Sequence, residues 1–127
     1  MPPKRSNDPA TILKVARGEE PWTVLGAFGI TISFDDEGKC RVEGKETVGT
    51  KPLLADVASG FLKFRGHPDE LRRWASVVLM APVFDLENLQ DHATGEMFLE
   101  SLWDAAYGDP VSEETFAAAS KVEGEGF

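Results

Sequence analysis

Apolar residues recur at helical spacing through most of this 127-residue chain. Ile12, Leu13, Val15 and Ala16 form the first stripe. Asp8 and Pro9 open it as an N-cap followed by proline at the first helical position, and Gly18 closes it. A short helix is expected from Glu20 or Pro21, with Trp22, Leu25 and Ala27/Phe28 buried and Gly26 and Gly29 keeping it short. The period then changes. Ile30, Ile32 and Phe34 alternate with Thr31 and Ser33, Asp35-Asp36-Glu37-Gly38 supplies turn chemistry, and Cys40 and Val42 alternate with charged residues up to Glu43. This pattern predicts a β-hairpin, which is marginal in water unless it packs on helices. Cys40 is expected to be a buried strand thiol.

Helical spacing returns at Leu53, Leu54, Val57, Ala58, Phe61 and Phe64, ending near Gly66. His67-Pro68-Asp69-Glu70 opens the next helix, whose acids complement the positive end of the macrodipole. Leu71, Trp74, Ala75 and Val78 are its core face, and Pro82 stops it after Ala81. Val83 to Leu89 is expected to be a loop pinned by Val83, Phe84 and Leu86. A long helix follows from about Ala93 to Tyr107, then Gly108-Asp109-Pro110, and Ser112 caps a last helix with Glu113 and Glu114 in its first turn and Phe116 inside. The expected class is α+β, mostly α: five to six helices packed around one small hairpin at about Ile30 to Glu43. Residues 1–7 are expected to be a mobile tail, 8–122 a single globular domain, and 123–127 a loose tail. A hydrophobic fraction of 42% is enough for one core at this length.

No apolar run approaches the length of a membrane span, and none near Met1 resembles a signal peptide. A cytoplasmic, soluble protein is expected, and the lone Cys40, unable to form an internal bridge, agrees with a reducing compartment. Net charge is -9, and its distribution matters more than its size. Residues 1–81 carry twelve Lys/Arg against eleven Asp/Glu, whereas residues 82–127 carry eleven acids and one base, Lys121. An isoelectric point near 4.6 argues against direct nucleic-acid binding and against anionic membrane surfaces. A basic protein partner is the complementary expectation.

On the helix from Ala93 to Tyr107, Phe98, Leu99, Leu102 and Ala106 gather on one face with Gly95 nearby. Glu96, Glu100 and Asp104 follow one another at i, i+4 and i+8 on a different face, flanked by Trp103 and Tyr107, while Asp91 extends the acidic patch before the helix starts. Like charges at this spacing cost about 0.2–0.5 kcal/mol per pair, and no basic residue in the helix offsets them. Carboxylates beside two amphipathic rings suit a surface that steers and buries a basic partner. Trp103 lies about 40° from Leu99 and would equally serve to roof the core edge. Lys63, Arg65, Arg72 or Arg73 would equally serve to neutralise the carboxylates from within. Asp109, Glu113 and Glu114 are placed around the same patch.

Catalytic signals are absent from the sequence: there is no Walker loop, GxGxxG or HExxH, no paired cysteines, and no calcium-loop spacing at Asp35-Asp36-Glu37-Gly38. His92 and Glu96 at i, i+4 beside Asp91 are a weak metal candidate, and Asp91-His92 reads more simply as a helix cap beside a surface histidine. No enzyme activity and no cofactor are expected. The expected function is a small acidic binding module, an inhibitor of the immunity-protein or antitoxin kind that occludes a basic, nucleic-acid-processing protein. The alternative is an adaptor or structural subunit of a larger assembly, homo-oligomeric or otherwise, the oligomeric state being left open by the sequence.

Overall fold

The computed structural model of the chain describes residues 9–20, 22–37, 39–44, 50–81 and 84–124. Five α-helices and one two-stranded antiparallel sheet are present among them: α1 (Pro9–Ala16), β1 (Ile30–Phe34), β2 (Cys40–Gly44), α2 (Leu54–Lys63), α3 (Pro68–Met80), α4 (Ala93–Ala106) and α5 (Glu113–Gly124). The architecture is therefore α+β and mostly α. Two 3-10 helices, Trp22–Phe28 and Glu87–Asp91, complete it. The second takes over the end of the loop expected from 83 to 89, whose residues 84–86 are irregular as expected, and seats Leu89 fully in the core. Asp8, the N-terminal tail, Pro82, Val83 and residues 125–127 lie outside the described residues, as do the side chains of Ala27 and Phe28. Helix α5 carries on through Gly124, two residues beyond the expected end of the domain.

Four helices meet at Phe61. Its ring is fully buried, with Trp74 of α3 edge-on at 5.1 Å, Phe98 of α4 at 5.4 Å and Phe116 of α5 edge-on at 6.3 Å. Such tilted pairs are favoured by the ring quadrupole beyond the area they bury. Val57, Val78, Leu89 and Leu102 fill the space around them. Gly60 explains why α2 and α3 approach so closely: a Cβ at this position would overlap the Trp74 indole. Gly95 plays the same part where α4 crosses the backbone of Leu89.

A second, smaller core joins Ile12, Val15 and Ala16 of α1 to Leu25, Ile30 and Phe84, with Val77 from α3 and Ala81 at its C-cap. Helix α3 is therefore a wall shared by both cores. The Trp74 indole N–H donates to the Ala16 carbonyl at 3.0 Å, so the ring that packs on Phe61 also holds the end of α1. Gly18, at φ +78°, turns the chain out of that helix.

Asp56 adds a polar tie, and its effect departs from the sequence pattern. Its buried carboxylate accepts from the Leu53 N–H at 2.8 Å, as the acid of a capping box does, and from the Arg17 guanidinium at 3.1 Å. This fixes the start of α2 at Leu54. Leu53 is left in extended backbone at the N-cap, 58% exposed, and not in the apolar stripe where its spacing placed it.

The hairpin pairs Ile30 with Gly44 and Phe34 with Cys40. Trp22 packs edge-on against Phe34 at 5.3 Å, which covers one face of this marginal element. Cys40 is half-buried, short of the buried thiol expected, because a two-stranded sheet leaves its edges to solvent; burial still pushes its thiol pKa up. In the turn, Asp35 Oδ1 accepts from the backbone N–H groups of Lys39 and Glu37, each at 2.9 Å. The Lys39 bond above all holds its carboxyl below the ordinary aspartate value.

Two consequences are measurable. Gly60→Ala, which by helix propensity alone would gain about 1 kcal/mol, is expected to destabilise the protein by about 1–2 kcal/mol in urea unfolding, because overpacking against Trp74 outweighs propensity. Asp35 is a carboxylate with a lowered folded pKa, so its contribution is present above the unfolded value and lost as pH falls through the folded one. Protection factors at the hairpin amides, with each rate taken relative to the unstructured chain at the same pH, should therefore fall below about pH 4 in the wild type relative to neutral conditions, and Asp35→Asn should remove most of that pH dependence.

Candidate functional site

The stripe on α4 is positioned by what the helix buries. Phe98, Leu102 and Ala105 face the Phe61 cluster, and Ser101 is buried against α5, where its hydroxyl lies 2.6 Å from that of Thr115. Leu99 and Ala106 are only half-buried. With that rotation fixed, Glu96, Glu100 and Asp104 are exposed. They line one open groove between α4 and the start of α5, about 390 Å³ in volume, with Met97 among them, Ser112 just before α5 and Thr115 within it. The hydroxyls are signals that sequence spacing could not supply, since Ser112 reads only as a cap. It is that too: Ser112 Oγ accepts from the Thr115 N–H at 3.3 Å and lies 3.1 Å from Thr115 Oγ1.

Trp103 and Tyr107 lie on the adjoining row, stacked with ring centroids 6.0 Å apart and planes 26° from parallel. Trp103 is 42% exposed and Tyr107 72%, so this pair caps no core. Tyr107 is the C-cap residue of α4, and Gly108, at φ +87°, turns the chain away from the helix end. Asp91 and His92 are exposed. His92 itself is the N-cap of α4, in extended backbone and without a side-chain capping bond, while Asp91 ends the preceding 3-10 helix. Asp91, His92 and Glu96 do not converge, and no group of three metal-ligating side chains occurs among the described residues.

Internal neutralisation of the stripe is not seen: among the described residues no ion pair reaches Glu96, Glu100 or Asp104. Within that group, Arg65 forms an ion pair with the acidic C-terminal third, meeting Glu113 and lying over the Phe116 ring at 5.1 Å. Arg72 instead donates to the Glu37 carbonyl at 3.2 Å. The acids expected to surround the stripe are partly diverted. Glu113 is taken by Arg65, and Asp109 lines a separate hollow with Asp69 and Arg72.

The charge order of α4 contrasts with that of α5. In α5, Glu113 and Glu114 occupy the first turn and Lys121 the last, as the macrodipole favours. In α4, Glu96 sits favourably in the first turn, but Asp104 lies near the negative end and no basic residue occupies the last turn. The exposed face of α4 thus works against the helix's own stability, while its buried face is well packed. Chemically, the groove can accept ammonium or guanidinium groups, and the adjoining rings can bury apolar surface.

Glu100→Lys tests this local conflict. It exchanges two repulsive i, i+4 pairs for two attractive ones and is expected to raise stability by about 1 kcal/mol, a rise of about 3 °C in Tm that should shrink in high salt. Comparison with protein-family models, with curated proteins and with solved structures returns no match to this chain, so the reading of α4 rests on its geometry and charge.

Proposed function

We propose that this protein is an acidic binding module that engages a basic protein through the α4 face, acting as a stoichiometric inhibitor of the immunity-protein or antitoxin kind. The observation that carries this reading is the groove wall of Glu96, Glu100 and Asp104, exposed and without cation partners among the described residues, beside the stacked Trp103 and Tyr107. In a complex the carboxylates stand in for nucleic-acid phosphates, drawing the partner's Lys and Arg side chains into the groove. Trp103 and Tyr107 supply the desolvated contact that slows dissociation. The partner is a nucleic-acid-processing protein, because its own ligand selects the same basic surface. Asp91 lies at the N-terminal approach to the face and adds to its field. No helix among the described residues is long and apolar enough to cross a membrane, consistent with a protein that meets its partner in an aqueous compartment.

A second reading, an adaptor or structural subunit of a homo-oligomeric assembly, draws on Leu53 and Met80, large apolar side chains outside α4 that are 58% and 47% exposed. Light scattering separates the two. A persistent homo-oligomer favours the subunit, and a monomer favours the inhibitor.

The decisive experiment is affinity capture from the native host, with the wild type and with a Glu96→Lys, Glu100→Lys, Asp104→Lys triple variant. The wild type should retain a basic protein that the triple variant loses, and retention by both would sink the acidic-face reading. With the purified partner, raising salt from about 50 to about 500 mM should slow association at least tenfold, and Trp103→Ala should speed dissociation by about tenfold or more.

A further inference from the structure

A second concavity opens between the end of α1, the 3-10 helix beginning at Trp22, and the facing ends of α2 and α3. Its volume of about 430 Å³ falls within the range of small-ligand sites. Trp22, Phe64 and Trp74 make its aromatic lining. Trp74 is held by its hydrogen bond to Ala16, Phe64 leans on Trp74 at 5.9 Å with planes 43° apart, and Trp22 is braced by Phe34. The turn at Gly18 lies directly on Phe64, where a Cβ would come within 2.8 Å of the ring. Packing between ordered elements therefore shapes this lining without a ligand.

The rim carries both signs of charge. Lys63 and Arg73 line it, and so do Glu19, Glu20 and Glu70. Glu19 is engaged by Arg17 at 2.9 Å, whereas the other four form no ion pair among the described residues. Two cations and two carboxylates thus remain around an aromatic floor. An anion would be opposed by Glu20 and Glu70, and a cation by Lys63 and Arg73. A wholly apolar ligand would desolvate all four without return. The complement is a molecule neutral overall, charged at both ends of a short head group, and flat and apolar elsewhere.

We propose that this cavity binds a small zwitterion with an aromatic body, of the chemical class of free aromatic amino acids. The ligand carboxylate is held by Lys63 and Arg73, its ammonium by Glu20 and Glu70, and its ring lies against Phe64 and Trp74. Charge-assisted bonds at a partly desolvated rim orient the head group, and the offset ring contact supplies burial. The site is separate from α4 and does not depend on the function proposed for that face.

The test is calorimetric titration of the full chain with L-phenylalanine, with N-acetyl-L-phenylalanine, which lacks the ammonium, and with L-phenylalanine amide, which lacks the carboxylate. Saturable one-to-one binding of the free amino acid is expected, with a Kd of about 1 mM or tighter and each blocked derivative at least about tenfold weaker. Lys63→Ala/Arg73→Ala removes two exposed side chains and should leave the Tm nearly unchanged. It should weaken L-phenylalanine about tenfold while affecting the amide little, and Glu70→Gln should do the converse for the ammonium. No binding of L-phenylalanine by about 10 mM, equal binding of all three compounds, or full affinity in the folded double variant would each overturn the proposal.

Discussion

The contact of the Phe61 ring with Trp74, Phe98 and Phe116 is the constraint on which the rest of the structure depends. Each of the four larger helices contributes one aromatic residue to it. Aromatic pairs have preferred tilts as well as preferred distances, so this cluster orients the helices and does more than bring them together. Gly60 is its necessary companion, since only a residue without a side chain lets the Trp74 indole lie against α2. The smaller core inherits its position through Trp74, whose N–H grips the end of α1, and through Val77 of α3 and Ala81 at its C-cap, on rows adjoining Trp74. The half-buried Arg17 and the buried Asp56 close the same junction with charge-assisted bonds.

The candidate surface follows from that packing. Once Phe98, Leu102 and Ala105 are committed to the cluster, helical periodicity turns Glu96, Glu100 and Asp104 outward. The buried bond between Ser101 and Thr115 then sets α5 alongside, which makes a convex acidic stripe into one wall of a groove. A helix with such a well-seated buried face can carry an unfavourable exposed one, because a few like-charge pairs cost far less than the burial of Phe98 and Leu102 contributes. That margin is what allows a surface charge order suited to a partner and not to the helix itself.

Most of the helix and hairpin pattern was legible in the chain. Pro68 at the start of α3, Gly18 beyond the end of α1, and the alternation of Ile30, Ile32 and Phe34 each correspond to a local physical signal, and the elements follow them. Leu53 was misplaced because its spacing matches the α2 stripe, whereas a carboxylate three residues on captured its N–H and set the helix start. The 3-10 helix at Glu87–Asp91 had no periodic signature at five residues and is held by Leu89 in a core built by distant segments. Within α4, the exposure of Trp103 could not be read from its place beside Leu99, since rotation of the helix against its neighbours decides which of two adjoining rows is covered.

The sequence by itself determined the five α-helices and the hairpin, the acidic bias of the C-terminal third, and the coincidence of three carboxylates on one helical row, because propensity, capping and helical period are local properties. Tertiary structure decided which cations find acids, why Arg65 meets Glu113 while the α4 stripe gains no such partner among the described residues, and where concavities form. It also brought Trp22, Phe64 and Trp74 from three separate segments to one lined cavity. Those outcomes depend on distances between residues far apart in the chain, and these are fixed only when the helices settle around Phe61.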